Sequence, residues 1–179
     1  FEDDNLSDWV GATGAYDVNE DAPVADGDFS LKNTGGDTAL IGSFSGLDRY
    51  PSAGDTFAAS VASIDDAENF GLLFGMQDLS NFYFTRYWKG GPSLQIWRVE
   101  DGGYEELKSV DVPQTTENEI YEYEIDWRTD GEIILTLRDG DGNEVDSVTA
   151  NDTTFTEGGI GTRRSGMLDN IRITDAGSQ

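Results

Sequence analysis

The stretch from Asn69 to Val110, NFGLLFGMQDLSNFYFTRYWKGGPSLQIWRVEDGGYEELKSV, decides the fold. Four runs rich in aromatic and aliphatic side chains lie in it: Phe70–Met76, Phe82–Trp88, Ser93–Val99 and Tyr104–Val110. Asp-Leu-Ser, Lys-Gly-Gly-Pro and Asp-Gly-Gly separate them. Short apolar runs bounded by Gly, Pro, Asp and Ser are strand and turn signals. A parallel return needs a crossover of a dozen residues or more, so these connections join antiparallel neighbours. The reading is an antiparallel meander in the middle of a sheet.

Working outward, the same pattern recurs. Asp8–Val10, Ala15–Val18, Asp28–Asn33, Thr38–Phe44 and Thr56–Ile64 read as strands before the meander. After it, Ile120–Trp127 alternates most cleanly: Tyr121, Tyr123, Ile125 and Trp127 point one way, Glu122, Glu124 and Asp126 the other. Glu132–Arg138, Glu144–Ala150, Gly159–Thr162 and Leu168–Thr174 complete the set. About a dozen short strands, with no segment of helical period over two turns, imply a sandwich or barrel. Each apolar face needs a cover, and a second sheet is the simplest one. The expected fold is all-β, a two-sheet antiparallel sandwich forming a single domain over residues 1–179.

Composition narrows the function. There is no cysteine and no histidine, which excludes disulfides, thiol chemistry, a Ser-His-Asp triad and zinc held by Cys or His. No run approaches the ~18 apolar residues of a membrane helix, so insertion into a bilayer is not expected. No secretory leader is recognisable, and Phe1 fits either a processed N-terminus or a cut from a longer chain. Thirty-six acidic residues face eleven basic ones, a net charge of −25. Such a surface repels nucleic acid and anionic lipid. Twenty aromatics and clear periodicity argue against disorder. An acid-coated chain with three Lys against eight Arg is expected to work in concentrated salt, which screens its self-repulsion.

Several pieces, in this order, resemble the concanavalin A-like, laminin G-like jelly rolls of extracellular and carbohydrate-binding proteins. They are FEDDNLSDW, DGDFSLK, GLLFGMQDLSNFYFTRY, LQIWRVEDGG, EIDWRTDGEIILTLRD and GGIGTRRSGMLDNIRI. The likeness extends to sandwich domains of haloarchaeal secreted proteins. The resemblance implies an extracellular or surface location, cellular or viral, and a non-catalytic role in binding a glycan or a glycosylated surface. It leaves open a structural subunit of a filament, spike or virion, acting through copies of itself or neighbouring domains, and a glycoside hydrolase or lyase. It also implies a structural Ca²⁺ clamping the first strand to the last. The family's ligands fall on Glu2, the carbonyls of Asp26 and Phe29, and the carboxylate of Asp169, an oxygen set that suits a hard cation.

The residues themselves offer three further candidates. Asp139-Gly-Asp-Gly-Asn-Glu144 begins like a calcium loop, but Glu144 stands where Gly is needed and Ala150 where an acid is needed. A Gly-rich hairpin turn is the better reading. Glu124-Ile-Asp126 resembles the catalytic strand of family 16 glycoside hydrolases but lacks the third acid, and outward solvated acids explain it equally. The last is an aromatic-basic patch. Phe82, Phe84, Arg86 and Trp88 share one strand face, and Lys89, Arg98, Arg163 and Arg164 stand out in so acidic a chain. Aromatic rings stack on the C–H faces of sugars, and arginine hydrogen-bonds hydroxyls or carboxylates. The expected glycan-binding set is Arg86, Trp88, Arg163 and Arg164, with Phe84 and Trp97 assigned to the core.

Overall fold

The computed structural model describes residues 6–19, 25, 27–28, 30–34, 40–45, 49–64, 69–163 and 166–176. Over these the chain forms β1 (Trp9–Gly11), a 3-10 turn (Thr13–Ala15), β2 (Tyr16–Asn19), β3 (Ser30–Asn33), β4 (Leu40–Ser43) and β5 (Asp55–Ala62). Then come β6 (Phe70–Asp78), β7 (Asn81–Trp88), β8 (Ser93–Glu100), β9 (Gly103–Asp111) and β10 (Tyr121–Trp127). The chain continues with β11 (Glu132–Arg138), β12 (Glu144–Asn151), β13 (Gly159–Arg163) and β14 (Met167–Ala176). Two seven-stranded antiparallel sheets result, sheet A in the order β1-β4-β13-β6-β7-β8-β9 and sheet B in the order β12-β11-β10-β5-β14-β3-β2.

The meander β6-β7-β8-β9 is continuous, as its short turns require. It is not the middle of the sheet, however. β9 is an edge strand, and its polar, exposed sequence Gly-Tyr-Glu-Glu is what an edge can tolerate. β3 and β4, adjacent in sequence, lie in different sheets, a separation that strand pattern alone does not encode.

The alternation of β10 is obeyed residue by residue. Tyr121, Tyr123, Ile125 and Trp127 are buried between the sheets, while Glu122, Glu124 and Asp126 face out. Opposite them, sheet A contributes Phe70, Phe74, Tyr83 and Tyr87. Ring pairs knit the layers: Phe74 meets Trp127 edge-on at 5.0 Å, and Phe70 meets Tyr123 edge-on at 5.5 Å. Such pairs add about 0.5–1.5 kcal/mol each beyond the area they bury. Gly75 shows how closely the layers approach. It takes φ +59° where the β6 register shifts, and a Cβ there would lie 3.1 Å from the Trp127 ring.

Sheet A carries a second apolar cluster, on its far side. Leu73, Met76, Phe82, Phe84 and Val99 are buried there, with Leu40 and Trp97 packed against them. Phe84 is therefore buried as expected, but outside the sandwich rather than within it.

Candidate functional site

The outer faces of the two sheets are built differently. On sheet B, acids and arginines alternate across strands. Arg138 donates to Glu124 at 3.1 Å, Arg128 to Asp126 at 2.9 Å and to Glu132, and Arg172 to Glu122. Glu124 and Asp126, the pair that resembled a hydrolase strand, are thus each held by an arginine in a charge-paired surface.

On the outer face of sheet A, arginines lie on rings. The Arg86 guanidinium is 5.6 Å from the centroid of Trp97, 5.7 Å from Trp88 and 6.0 Å from Phe84. It is aimed by Gln95, the residue paired with it on β8, whose Oε1 accepts from Arg86 Nε at 2.9 Å and Nη2 at 2.5 Å. The same oxygen accepts from the Trp97 indole at 3.1 Å, and Gln95 Nε2 donates to Ser93. Gln95 therefore locks an arginine and an indole in one arrangement. From β13, Arg163 reaches the same cluster, 5.9 Å from the Phe84 ring and 4.8 Å from the Tyr104 ring. Each such contact contributes about 0.5–1 kcal/mol when exposed and more when desolvated.

Two rings of this cluster remain open to solvent. Trp88 is 40% exposed and Tyr104 45%. The Trp88 indole lies against the Gly90-Gly91 tip of the β7–β8 turn, where a Cβ on either glycine would come within 3.1 Å of it. A side chain at either glycine would press on the ring and shift it.

Of the expected set, the structure brings together Arg86, Trp88 and Arg163, joined through Phe84. Arg164 lies outside the described residues. Trp97, expected in the core, is half-buried on this outer face, packed against the Phe84 cluster and beside Arg86. Gln95 and Tyr104 were not anticipated. Both could have been found from turn length: a four-residue Lys-Gly-Gly-Pro turn pairs Arg86 with Gln95, and the tight Asp101-Gly102 turn pairs Val99 with Tyr104. Arg98 is not part of the patch. One residue out of phase with Trp97, it bonds Asp152 at 2.8 Å and Glu105 at 2.5 Å, and those carboxylates raise its pKa against the effect of its burial.

Among the calcium candidates, Glu2, Asp26 and Phe29 lie outside the described residues. Asp169 is buried on β14, its Oδ2 accepting the Ala25 amide at 2.8 Å and its Oδ1 the Asn170 amide at 2.7 Å. Among the described residues, no three acidic side chains converge to hold a metal. The Asp139 loop is a hairpin turn. Its carboxylate accepts the amides of Asp141 and Asn143 and the Asn143 side chain, which together hold it below the usual carboxylate range.

No protein-family model matches this chain, and no curated protein matches its sequence. Its architecture does have relatives. It is similar to the carbohydrate binding module CBM66 from Bacillus subtilis, at a TM-score of 0.67 and 16% identity over 94% of this chain and 95% of that one. It is also similar to toad ovary galectin, solved in complex with thio-digalactose, at 0.56 and 12% over 77% and 98%. Chicken galectin 2 gives 0.56 and 11% over 74% and 98%. At these identities the likeness is one of fold, and the fold is the concanavalin A-like jelly-roll sandwich.

Proposed function

We propose that the chain is a non-catalytic carbohydrate-binding module whose site is the outer face of sheet A. The observation that carries this reading is the arginine-on-ring cluster of Arg86, Trp88, Trp97, Tyr104 and Arg163 around Phe84. Exposed indole and phenol rings offer flat apolar surface to sugar C–H groups, and fixed guanidinium groups beside them supply hydrogen-bond donors. A jelly-roll scaffold shared with a carbohydrate binding module and with galectins supports the reading. The acidic coat, with five described arginines paired to acids, fits an extracellular or surface setting in concentrated salt, as on a halophilic archaeal cell or particle.

Glycan-array binding in about 3 M KCl, chosen to screen the self-repulsion of the chain, tests the site. The wild type is expected to bind a restricted set of glycans, and Trp88→Ala to weaken that binding at least about tenfold, the equivalent of about 1.4 kcal/mol. Binding unchanged in Trp88→Ala, or none in the wild type, refutes the assignment.

We further propose that Ca²⁺ is held at Asp169. The Ala25 amide already donates to Asp169 on β14, tying an early part of the chain to the last strand, which is the clamp such an ion would tighten. Chelator is expected to lower the melting temperature of the wild type and not that of Asp169→Asn. Equal melting with and without chelator refutes this proposal.

A further inference from the structure

We infer that the saccharide taken by this face is anionic, a carboxylate-bearing sugar recognised by Arg163 together with Arg86. This rests on the reading of the outer face of sheet A as a carbohydrate site. Acids are plentiful in this chain, and Arg49, Arg98, Arg128, Arg138 and Arg172 each stand within 4 Å of one. Arg163 has no such acid among the described residues. It is packed over Tyr104 and Phe84, and its Nε is buried with no hydrogen-bond partner among them. With Nε sealed against the rings, the terminal nitrogens of this half-buried guanidinium are the donors that an acceptor arriving with a ligand would meet.

The sheet also places the two arginines on either side of one strand, β6. β13, β6 and β7 are neighbours, and the β6 residue paired with Arg86 is Gly71. A Cβ at Gly71 would lie 2.6 Å from the Phe84 ring and 3.3 Å from the Arg163 carbonyl. With glycine there, the Phe84 ring spreads across β6, and both guanidinium groups approach that ring, at 6.0 Å from Arg86 and 5.9 Å from Arg163. Among the described residues, the acids Glu106 and Asp111 sit on edge strand β9 opposite Trp97 and Ser93. The result is a cationic floor with an acidic rim. A planar fork of N–H donors matches a carboxylate in two places, which a sugar hydroxyl cannot do.

The test compares oligogalacturonate and oligoglucuronate with their carboxyl-reduced neutral counterparts, by calorimetry in about 1 M and about 3 M KCl. At least one acidic member is expected to bind tenfold or more tightly than its neutral twin. Arg163→Gln should erase that preference, Arg163→Lys should keep part of it, and Arg86→Gln should weaken acidic ligands more than neutral ones. Far-UV circular dichroism of each variant confirms that it is folded. Equal binding of acidic and neutral members, or a preference that survives Arg163→Gln, overturns this inference and leaves the carbohydrate reading standing. Absence of binding to acidic and neutral members alike overturns this inference, while the carbohydrate reading stands or falls on the glycan array.

Discussion

The Tyr83 hydroxyl, on β7 of sheet A, donates to Asp152 Oδ1 across 2.7 Å, just beyond the end of β12 in sheet B. Asp152 also accepts from Arg98 on β8 through Oδ2 at 2.8 Å and from the Thr154 amide at 2.8 Å. The Phe155 amide closes the ring by donating to Tyr83 Oη at 3.1 Å. One carboxylate thus ties both sheets and the segment after β12 together at an edge of the sandwich. Asp152→Ala leaves a buried phenol and a guanidinium short of an acceptor and should cost about 2–4 kcal/mol, against about 1 kcal/mol for Tyr83→Phe. A double-mutant cycle by chemical denaturation should show coupling of at least about 0.5 kcal/mol. Strict additivity would mean that the bond contributes nothing.

The same carboxylate should shape the acid limb of stability. Burial acts to raise Asp152, but hydrogen bonds from Thr154 and Tyr83 and the charge of Arg98 outweigh it and hold the group below its ordinary value. Burial likewise acts to raise Asp55, and the Ser52 amide and hydroxyl with Arg49 reverse it. The folded chain therefore gives up these protons more readily than the unfolded one. The stability they contribute is complete above about pH 4 and is lost as pH falls below that toward the lowered folded values. At the other end, burial pushes Tyr83 and Tyr123 far above the ordinary tyrosine value of 10.0, so stability should fall as pH rises past it. Unfolding midpoints measured from pH 2 to pH 11 should show both limbs, with a shallower acid limb in Asp152→Asn. Superimposable acid limbs would contradict the role given to Asp152.

Tyr123 makes a contrasting case. Its ring is fully buried against Phe70, but among the described residues its hydroxyl makes no hydrogen bond of normal geometry; the Thr85 hydroxyl, which donates to the Leu72 carbonyl at 2.9 Å, is near enough only to accept weakly from it. Removing an unsatisfied polar atom relieves a desolvation cost. Tyr123→Phe should therefore leave stability unchanged or raise it by up to about 1 kcal/mol, measured by urea denaturation. A loss of 1 kcal/mol or more would show that the hydroxyl is satisfied after all.

Legibility of the sequence differed between its two kinds of signal. Period-two alternation placed Tyr121, Tyr123, Ile125 and Trp127 correctly, because a strand buried on one face leaves its register in the residue order. The meander was equally readable from its turns. What could not be read was the assignment of strands to sheets, since β3 and β4 are adjacent in sequence and lie in different layers. The site was half-visible for a related reason. Arg86 and Trp88 announce themselves on one strand face, whereas Gln95, Trp97 and Tyr104 join them only through cross-strand register. An apolar cluster on an outer face, as at Phe84, looks identical in sequence to one in the core.

Salt should govern whether the fold persists. With a net charge of −25, self-repulsion between exposed acids is strong when the screening length is long. The melting temperature is expected to climb with KCl from about 0.1 M to about 3 M, with partial loss of the β signal in far-UV circular dichroism at the low end. A melting temperature and spectrum independent of salt over that range would contradict the proposed high-salt setting.

The most direct test of the proposed binding face is nuclear magnetic resonance of the indole N–H groups during titration with the tightest-binding oligosaccharide. The chain has four tryptophans, and two of them, Trp88 and Trp97, lie on the outer face of sheet A, while Trp127 is sealed between the sheets. The account predicts that the Trp88 and Trp97 signals move together with the Arg86 and Arg163 Nε–H signals, while Trp127 stays fixed. Saturable binding that leaves Trp88 and Trp97 unmoved, and shifts instead the Glu124 and Arg138 face of sheet B, would contradict it.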